Sequence, residues 1–292
     1  MTIDVEDYFH ANALNAAAPV TRWESLDSRV EANNDRLLEM FARAGVTGTF
    51  FVLGWVAERH PGIVRKIRAA GHEVASHGYW HQLTYDLPID TFREDVRRSK
   101  ALLEDQSGAA VRGYRAPSYS ITRQSLWALD VLIEEGYEYD ASIFPIRHDR
   151  YGIADAPRHL HKLARSAGGL IEAPPSTVRL GGVNLPIAGG GYFRLLPYAW
   201  TRWGMARVNR VEQRPVIFYL HLWEIDPDQP RMDVGRVSRL RHYRNLHVTA
   251  ARLERLLRDF AFGPLADLLR SAAPIAIAPS PASSPTAVVT HG

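Results

Sequence analysis

The feature that most constrains the fold of this chain is a regular alternation, beyond residue 20, of short β-type runs with amphipathic helical stretches. The runs predict strands at Thr47–Leu53, His72–Ser76, Val111–Arg115, Tyr137–Ser142 and Val216–His221. The stretches between them predict helices at Asp27–Ala44, Trp55–Ala70, Pro88–Gln106 and Thr122–Glu135, each followed by the glycine that helix C-termini prefer. Strands that alternate with helices favour an α/β fold with a mainly parallel sheet.

The second half of the chain departs from this alternation. Residues Pro145–Gly191 are rich in Gly, Pro and His, which predicts short strands and loops at one end of the barrel or sheet. The segment Arg231–Arg258 holds eight arginines and is interpreted as a solvated helix face, with contact to an anionic polymer or a membrane surface as the alternative. Residues 271–292 form a Pro/Ala/Ser tract without periodicity, which we expect to be disordered.

Composition excludes several kinds of site and location. The chain has no cysteine, so any metal must be held by histidines and carboxylates. Its longest apolar run, Val46–Ala57, is too short to cross a bilayer, and acidic residues near Met1 stand where an export signal carries basic ones. We expect a cytoplasmic protein, alternatively peripheral to the inner membrane, with no nucleic acid partner. Because the opening strand is short, we also expect a few apolar residues before Met1 in the natural product.

Ionisable residues gather at strand ends, where α/β folds build their sites. Asp4, Glu6 and Asp7 place three carboxylates within four residues, a repulsive arrangement unless a cation or proton offsets it, although a surface turn or helix cap would also account for them. His77 and His81 are four residues apart, so one helical turn between them would let both imidazoles bind one metal ion. Two histidines and one carboxylate leave a position open for water, as in catalytic zinc sites.

Three further strand ends carry candidate residues. Arg115, before Pro117, could hold a carboxylate ionised through a bidentate contact, or could be a surface loop arginine. Asp140 ends the next strand and could be only a turn former. His221 ends the last strand and has a side-chain pKa suited to a general acid, unless it is a core histidine bonded to the backbone. The ordered set at five successive strand ends predicts an enzyme site.

These ordered motifs resemble the polysaccharide deacetylases with the NodB homology domain, carbohydrate esterase family 4, over about residues 1–225. Within that family, the motif sequences are most similar to the bacterial deacetylases of exosortase (PEP-CTERM) exopolysaccharide clusters, and this similarity extends to about residue 262. The motifs concerned are TIDVEDYFH, GTFFVLGW, EVASHGYWH, YRAPSYSI, YDASIFP, GGGYFRLLPY and HLWEIDP. The resemblance implies an α/β fold that is a distorted, incomplete (β/α) barrel of about seven strands. It also implies one catalytic domain over 1–270, with core motifs in 1–225 and a basic helical extension over 231–270.

The same resemblance implies catalytic roles for four residues. Asp4 occupies the position of the catalytic base, Arg115 that of the residue orienting the base, and His221 that of the general acid. Asp140 takes the position of an aspartate that orients the acid, although YDASIFP lacks the family's usual Asp-Trp ending.

The resemblance also implies a metal site with one open choice. His77 and His81 take the ligand positions, and the cofactor is one divalent ion, Zn²⁺ first, with Co²⁺, Ni²⁺ or Mn²⁺ as alternatives. The usual first motif has two adjacent aspartates, whereas here Val5 separates the base from the next carboxylate. Relatives with an Asp-x-Asp opening favour Glu6 as the third ligand, and Asp7 remains the rival.

The implied reaction is hydrolytic removal of acetyl from N-acetylated amino sugars of an exopolysaccharide or its lipid-linked precursor. The oxyanion donor is a backbone N–H near Ser118 or Tyr119, although Ser118 stands where the family usually has Tyr. The predicted substrate-binding residues are Trp80, Pro117, Ser118, Tyr119, Leu220 and Trp223. The alternatives are a deacylase of a small or cyclic amide on the same fold and a non-catalytic carbohydrate-binding relative.

Overall fold

The computed structural model describes residues 1–271 and 277–278, so most of the tail predicted to be disordered lies outside the described residues. The strands within this part are β1 (Thr2–Val5), β2 (Thr49–Val52), β3 (Glu73–Ser76), β4 (Gly113–Tyr114), β5 (Tyr139–Asp140), β6 (His161–Arg165), β7 (Gly168–Glu172), β8 (Thr177–Leu180), β9 (Val183–Pro186), β10 (Tyr219–His221) and β11 (Ile277–Ala278). The helices are α1 (Val30–Ala44), α2 (Gly54–Arg59), α3 (Pro61–Ala69), α4 (Ile89–Ser107), α5 (Trp127–Glu134), α6 (Gly190–Leu195), α7 (Tyr198–Arg210), α8 (Arg236–Tyr243), α9 (Leu246–Asp259) and α10 (Leu265–Ser271).

One curled sheet organises the molecule. Its strand order is β10-β1-β2-β3-β4-β5-β7-β6-β11, and β8 and β9 form a separate antiparallel hairpin. Every pairing in the curled sheet is parallel except β6 with β7. The prediction of an α/β half-barrel is therefore confirmed, with eight strands in the body of the sheet and the two-residue β11 at its edge.

Strands β1, β2 and β3 are consecutive neighbours in the sheet and are almost fully buried. Every residue of β1 and β2 is buried, as is β3 after its first residue. Parallel strands covered on both faces read as continuous apolar runs, which explains why the sequence identified them. The five predicted strands are all present but shorter, since their outer residues belong to loops.

Glycines end the predicted helices as expected, with one correction. Gly45 and Gly108 follow α1 and α4 in the left-handed conformation, at φ 65° and 63°. The single helix predicted over Trp55–Ala70 is wrong: α2 ends at Arg59 and α3 begins at Pro61. Proline lacks a backbone N–H and suits the first position of a helix, so it starts a new helix here.

The C-terminal part packs onto the strand framework. The region 145–191 forms short strands and loops as predicted. Helix α9 packs on α1 with a leucine-rich face that includes Leu246, Leu253 and Leu256. Arg252 donates from Nη1 to the carbonyls of Phe193, Arg194 and Leu196, so this member of the arginine-rich segment holds the fold together. None of the described helices combines the length and apolarity that a membrane span requires.

Candidate active site

Parallel pairing brings the predicted strand ends together at one edge of the sheet. Asp4 on β1 lies directly opposite His221 on β10 in the strand register. His77 follows β3 and Arg115 follows β4, each one residue beyond its strand. Because β10, β1, β2, β3 and β4 are consecutive neighbours, their carboxyl ends meet in one place.

Asp4 and Arg115 form a buried ion pair. Arg115 Nη1 donates to Asp4 Oδ1 at 2.7 Å, and its Nε donates to the carbonyl of Ala141 at 3.3 Å. The guanidinium also lies over the ring of Phe51, 4.1 Å from its centroid. Burial lowers the pKa of Arg115, but attraction to Asp4 more than offsets that effect and raises it above its usual value. The pair orients the carboxylate and leaves its Oδ2 3.7 Å from His221 Nε2.

Glu6, His77 and His81 converge in a buried cluster. One ligand atom from each lies within 4.8 Å of the others. Glu6 Oε2 lies 2.6 Å from His81 Nε2 and 3.9 Å from His77 Nε2. Burial raises the pKa of Glu6, but the surrounding imidazoles of His81, His221 and His77 hold it well below its usual range. The carboxylate is therefore ionised and facing nitrogen ligands.

The donor set of this cluster fits a divalent cation. His77 Nδ1 donates to the carbonyl of Arg115 at 2.8 Å, which leaves Nε2 as the nitrogen with a lone pair. Burial lowers the pKa of His77 to about 4, so its imidazole is neutral near pH 7. Glu6 Oε2 is buried and has no hydrogen-bond partner among the described residues, although His81 Nε2 lies 2.6 Å away. A metal site with two histidines and one carboxylate requires two imidazole nitrogens beside a carboxylate oxygen that has no other partner, and this cluster provides them.

Asp7, the rival ligand, is engaged elsewhere. Its Oδ1 accepts from the Tyr8 N–H, and its Oδ2 accepts from Ser28 Oγ and from the N–H groups of Arg29 and Val30. These bonds cap the start of α1 and leave no free position for a cation. The structure therefore places Asp7 at the start of α1, whereas Glu6 is the carboxylate that converges with His77 and His81.

His221 is held by a partner that the sequence reasoning did not assign. Its Nδ1 lies 2.6 Å from Glu224 Oε1, and Arg194 Nε donates to Glu224 Oε2 at 2.6 Å. Burial lowers the pKa of His221, but the bond to Glu224 and that carboxylate's charge raise it to about 9. Burial raises the pKa of Glu224, but Arg194 and His221 bring it down to about 2. His221 is thus protonated and Glu224 ionised near neutral pH.

Asp140 does not orient His221. Its carboxylate accepts from the hydroxyl and the N–H of Ser142, and it lies beside Glu172. Burial, followed by the charge of Asp140, raises the pKa of Glu172 well above its usual value, so that this side chain stays protonated beside it. Within the described residues Asp140 makes no hydrogen bond or ion pair with His221, whereas Glu224, three residues after the histidine, lies 2.6 Å from its Nδ1.

A cavity of about 500 Å³ opens onto Glu6, His81 and His221. Two predicted substrate-binding residues, Ser118 and Trp223, line it. Trp223 also stacks on His221 at 5.1 Å and donates from Nε1 to Glu6 Oε1 at 2.9 Å, so it orients a cluster carboxylate as well.

The turn at Pro117–Tyr119 exposes a free amide. Ser118 and Tyr119 have φ of 52° and 56°, a left-handed conformation that side chains rarely adopt. The Tyr119 N–H donates to the carbonyl of Ala116, whereas the Ser118 N–H donates to no described residue. Strain of this kind concentrates at functional sites, and Ser118 is the better placed of the two suggested oxyanion donors.

The other predicted substrate contacts lie away from the cavity. Trp80 lines a separate cleft and donates from its backbone N–H to Asp95. Leu220, Pro117 and Tyr119 are buried and are not among the residues lining the cavity. Their predicted contact with substrate is therefore not supported, although Pro117 starts the turn that presents Ser118.

Two residues of the site were missed at the level of sequence. Glu224 stands in the motif HLWEIDP and Arg194 in GGGYFRLLPY. Both motifs contribute to the family resemblance, but that resemblance implies no role for either residue. A buried glutamate three residues after the histidine was a usable signal, because that spacing in a 3₁₀ turn brings the side chains together. Arg194 had no such signal, since 30 residues separate it from Glu224.

Comparison with family models divides the chain in two. Residues 23–139 match the polysaccharide deacetylase family, and residues 141–270 match a domain of unknown function (DUF3473). The boundary between the two matches falls within β5. The second match therefore contains His221, Glu224 and Arg194.

Curated relatives match over shorter stretches. A peptidoglycan deacetylase of Helicobacter pylori is 29% identical over 113 residues, which are 39% of this chain and 38% of that protein. A chitooligosaccharide deacetylase of Sinorhizobium fredii is 34% identical over 97 residues, 33% of this chain and 42% of that protein. The chain therefore spans well under half the length of either relative.

Solved structures share the fold over nearly the whole chain. A putative polysaccharide deacetylase from Mycobacterium smegmatis superposes with a TM-score of 0.60 at 22% identity, covering 96% of this chain and 93% of that one. An allantoinase superposes with a TM-score of 0.61 at 17% identity, covering 92% and 87%. At these identities the likeness establishes the architecture.

Proposed function

This chain carries a polysaccharide deacetylase domain of the NodB, carbohydrate esterase family 4 type, and from that premise we propose that it is a metal-dependent N-deacetylase. The substrate we propose is an N-acetylated amino sugar in an exopolysaccharide or its lipid-linked precursor. The observation that carries the proposal is the meeting of an ion-paired carboxylate, a protonated histidine and a Glu-His-His cluster at one edge of the sheet, where Glu6, His81 and His221 line a cavity. A binding protein has no need of both an acid and a base.

The cluster residues would hold the cation, and we propose Zn²⁺ because two imidazoles and one carboxylate suit it. When bound, such an ion polarises the amide carbonyl and makes water more acidic. The remaining work falls to the chain itself. Trp223 and the Arg115 carbonyl fix the orientations of Glu6 and His77, which keeps the ligand atoms aimed at a common point.

Proton transfer requires a general base and a general acid, and two different residues take these roles. Asp4, held ionised by Arg115, takes the proton of the attacking water at its Oδ2. The free N–H of Ser118 donates to the developing oxyanion, a contribution of about 3 kcal/mol in comparable sites. His221, protonated because Glu224 faces its Nδ1, donates from Nε2 to the leaving amine. Asp4 Oδ2 and His221 Nε2 are 3.7 Å apart, so one group can act on the attacking water and the other on the leaving nitrogen of the same amide.

The decisive experiment measures acetate release from N-acetylglucosamine oligomers and from the host's own exopolysaccharide. Chelated protein should be inactive and should recover on addition of one equivalent of Zn²⁺. Asp4→Asn should abolish hydrolysis while leaving metal and sugar binding intact. Unchanged turnover by this variant would remove Asp4 from the role of base.

Two rivals have distinct outcomes in the same assay. Hydrolysis of small or cyclic amides such as allantoin, with no release from sugars, would favour the small-amide deacylase. Sugar binding without turnover of either class, at full metal occupancy, would favour a carbohydrate-binding protein.

We further propose a cytoplasmic location with peripheral contact to an anionic membrane or polymer through the Arg231–Arg258 segment. Helix α8 exposes Val237 and Leu240 beside Arg236 and Arg239, a pairing of apolar and basic groups suited to an anionic lipid surface. Sedimentation with phosphatidylglycerol vesicles, but not with phosphatidylcholine vesicles, is the expected result. Equal sedimentation of Val237→Glu/Leu240→Glu with anionic vesicles would exclude this surface.

A further inference from the structure

The active-site cavity extends beyond the reacting groups into a part with positive charge. Among the Asp, Glu, Lys and Arg side chains that line it, Glu6 belongs to the metal cluster and the other two are Arg150 and Arg241. They come from distant parts of the chain, the loop after β5 and the helix α8. The cavity therefore has an acid only at its metal end and cations elsewhere.

Neither guanidinium group makes a contact that stabilises the described part of the fold. The side chains of Arg150 and Arg241 make no hydrogen bond, ion pair or ring contact with any residue in the described part of the chain, and both are exposed. Arg194, by contrast, is buried and donates to Glu224 and to backbone carbonyls. Arginines that hold structure together are thus distinct from the two that face the cavity.

The charges of both guanidinium groups affect the same cavity residue, His148. His148 also lines the cavity, and the charges of Arg150 and Arg241 both add to the effect of burial in lowering its pKa, against the opposing charge of Asp149. Asp149 is exposed, its Oδ1 lies 2.9 Å from His148 Nδ1, and it neither lines the cavity nor forms an ion pair with Arg150 or Arg241 among the described residues. This acid therefore leaves both arginines free to bind a ligand.

An aromatic platform lines the same cavity as the arginines. The His148 ring stacks on Tyr151 with centroids 3.8 Å apart and planes 14° apart. The Tyr151 hydroxyl is 3.2 Å from that of Tyr192, and both tyrosines line the cavity. Flat aromatic faces with hydroxyl groups at their rims suit the apolar face and the hydroxyls of a sugar ring.

We propose that this part of the cavity binds a negatively charged group on the glycan, next to the N-acetylated sugar, and that Arg150 and Arg241 are its ligands. The inference rests on the proposed deacetylase function, because it names the substrate class of the same site. Guanidinium forks match the planar oxygens of carboxylate and phosphate equally well. A uronate in the repeat and the phosphate of a lipid-linked precursor are two sources of this chemistry.

The test compares matched glycans at one metal loading. The substrates are a tetrasaccharide of alternating N-acetylglucosamine and glucuronate, the same tetrasaccharide with its carboxyl groups reduced to alcohols, chitotetraose, and N-acetylglucosaminyl diphosphoryl undecaprenol. An anionic substrate should exceed the reduced tetrasaccharide in kcat/KM by about tenfold, because hydrogen bonds to charged groups are stronger than neutral ones. Preference for the glucuronate or for the diphosphate identifies the source.

Arginine variants assign the effect to this surface. Arg150→Gln/Arg241→Gln should remove the preference by raising KM for the anionic substrate, with turnover of chitotetraose within twofold. Arg179→Gln, an exposed and unpaired arginine on β8 outside the cavity, is the matched control and should change nothing. Equal turnover of charged and neutral glycans by the unaltered protein, or equal loss on all substrates in the double variant, would overturn the inference.

Binding separates this inference from the proposed function. If no glycan releases acetate, calorimetry with the Zn²⁺-loaded protein still compares the glucuronate and reduced tetrasaccharides. Binding of the anionic one alone, lost in the double variant, supports the anion site without deacetylation. Equal binding or no binding of either rejects it.

Discussion

Glu224 Oε1 lies 2.6 Å from His221 Nδ1, and the other oxygen of the same carboxylate accepts from Arg194. Arg194 in turn donates to the carbonyls of Arg241, His242 and Arg244 at the turn between α8 and α9. The histidine is thus connected through one carboxylate to the C-terminal helices. This connection gives the segment matching the domain of unknown function a direct part in the site.

Removing the charge of Glu224 should shift the pH dependence of hydrolysis. His221 has its pKa raised to about 9, so its proton is present below that pH and lost as pH rises through it. Glu224→Gln removes the main support for the charged form, and the basic limb of kcat/KM should move down by about one pH unit or more. Profiles from pH 6 to 10 in the same metal form measure this.

Asp140→Asn is the comparison for that experiment. Asp140 bonds to Ser142 and not to His221, so the basic limb should stay where it is in the unaltered protein. A downward shift equal to that of Glu224→Gln would restore Asp140 as the orienting residue.

The same pair should make stability depend on pH in both directions. Glu224 has its pKa lowered to about 2, so its contribution is present above about 4.5 and is lost as pH falls towards 2. The contribution of His221 is complete below about 6.5 and is lost as pH rises through 9. The difference in unfolding free energy between unaltered protein and Glu224→Gln should therefore be greatest near pH 5 to 6, about 2–4 kcal/mol. Urea titrations across pH test this; a flat difference would contradict it.

Glu6 and Asp7 should separate metal binding from folding. Asp7→Ala leaves the donors at the start of α1 unsatisfied and should lower the free energy of unfolding by about 2 kcal/mol, with metal affinity unchanged. Glu6→Gln should weaken Zn²⁺ binding at least tenfold, because it replaces an anionic ligand. Calorimetric titration and urea unfolding of both variants measure the two effects. A tenfold loss of affinity in Asp7→Ala would return Asp7 to the ligand set.

Metal loading should stabilise the fold. A cation that binds the folded chain at 100 times its Kd contributes about 2.7 kcal/mol, so chelation should lower Tm by several degrees. His77→Ala and His81→Ala should show no such difference between metal-loaded and chelated forms, since each loses one of the converging nitrogens. An unaltered protein whose Tm is the same with and without Zn²⁺ would argue against a metal at this cluster.

Local patterns in the sequence were enough to predict the strands, the glycine-ended helices and the residues at the strand ends. Apolar runs, helical periodicity and glycine stops act over a few residues, so they are legible without the fold. Parallel pairing of adjacent strands then explains why Asp4, His77, Arg115 and His221 meet at one edge. The break at Pro61 was also local and readable, because proline has no N–H to continue a helix.

Only the tertiary structure decided which of several equivalent residues does each job. Three carboxylates near Met1 look alike in sequence, and burial beside two imidazoles or at the start of α1 distinguishes Glu6 from Asp7. Glu224 replaces Asp140 as the partner of His221 because the 3₁₀ turn brings it within 2.6 Å. Arg194 donates to Glu224 across 30 residues of sequence, and Arg150 and Arg241, which are 91 residues apart, line the same cavity. Apart from the local contact of Glu224 with His221, these choices depend on distances between segments far apart in the chain, and local sequence patterns carry no information about those distances.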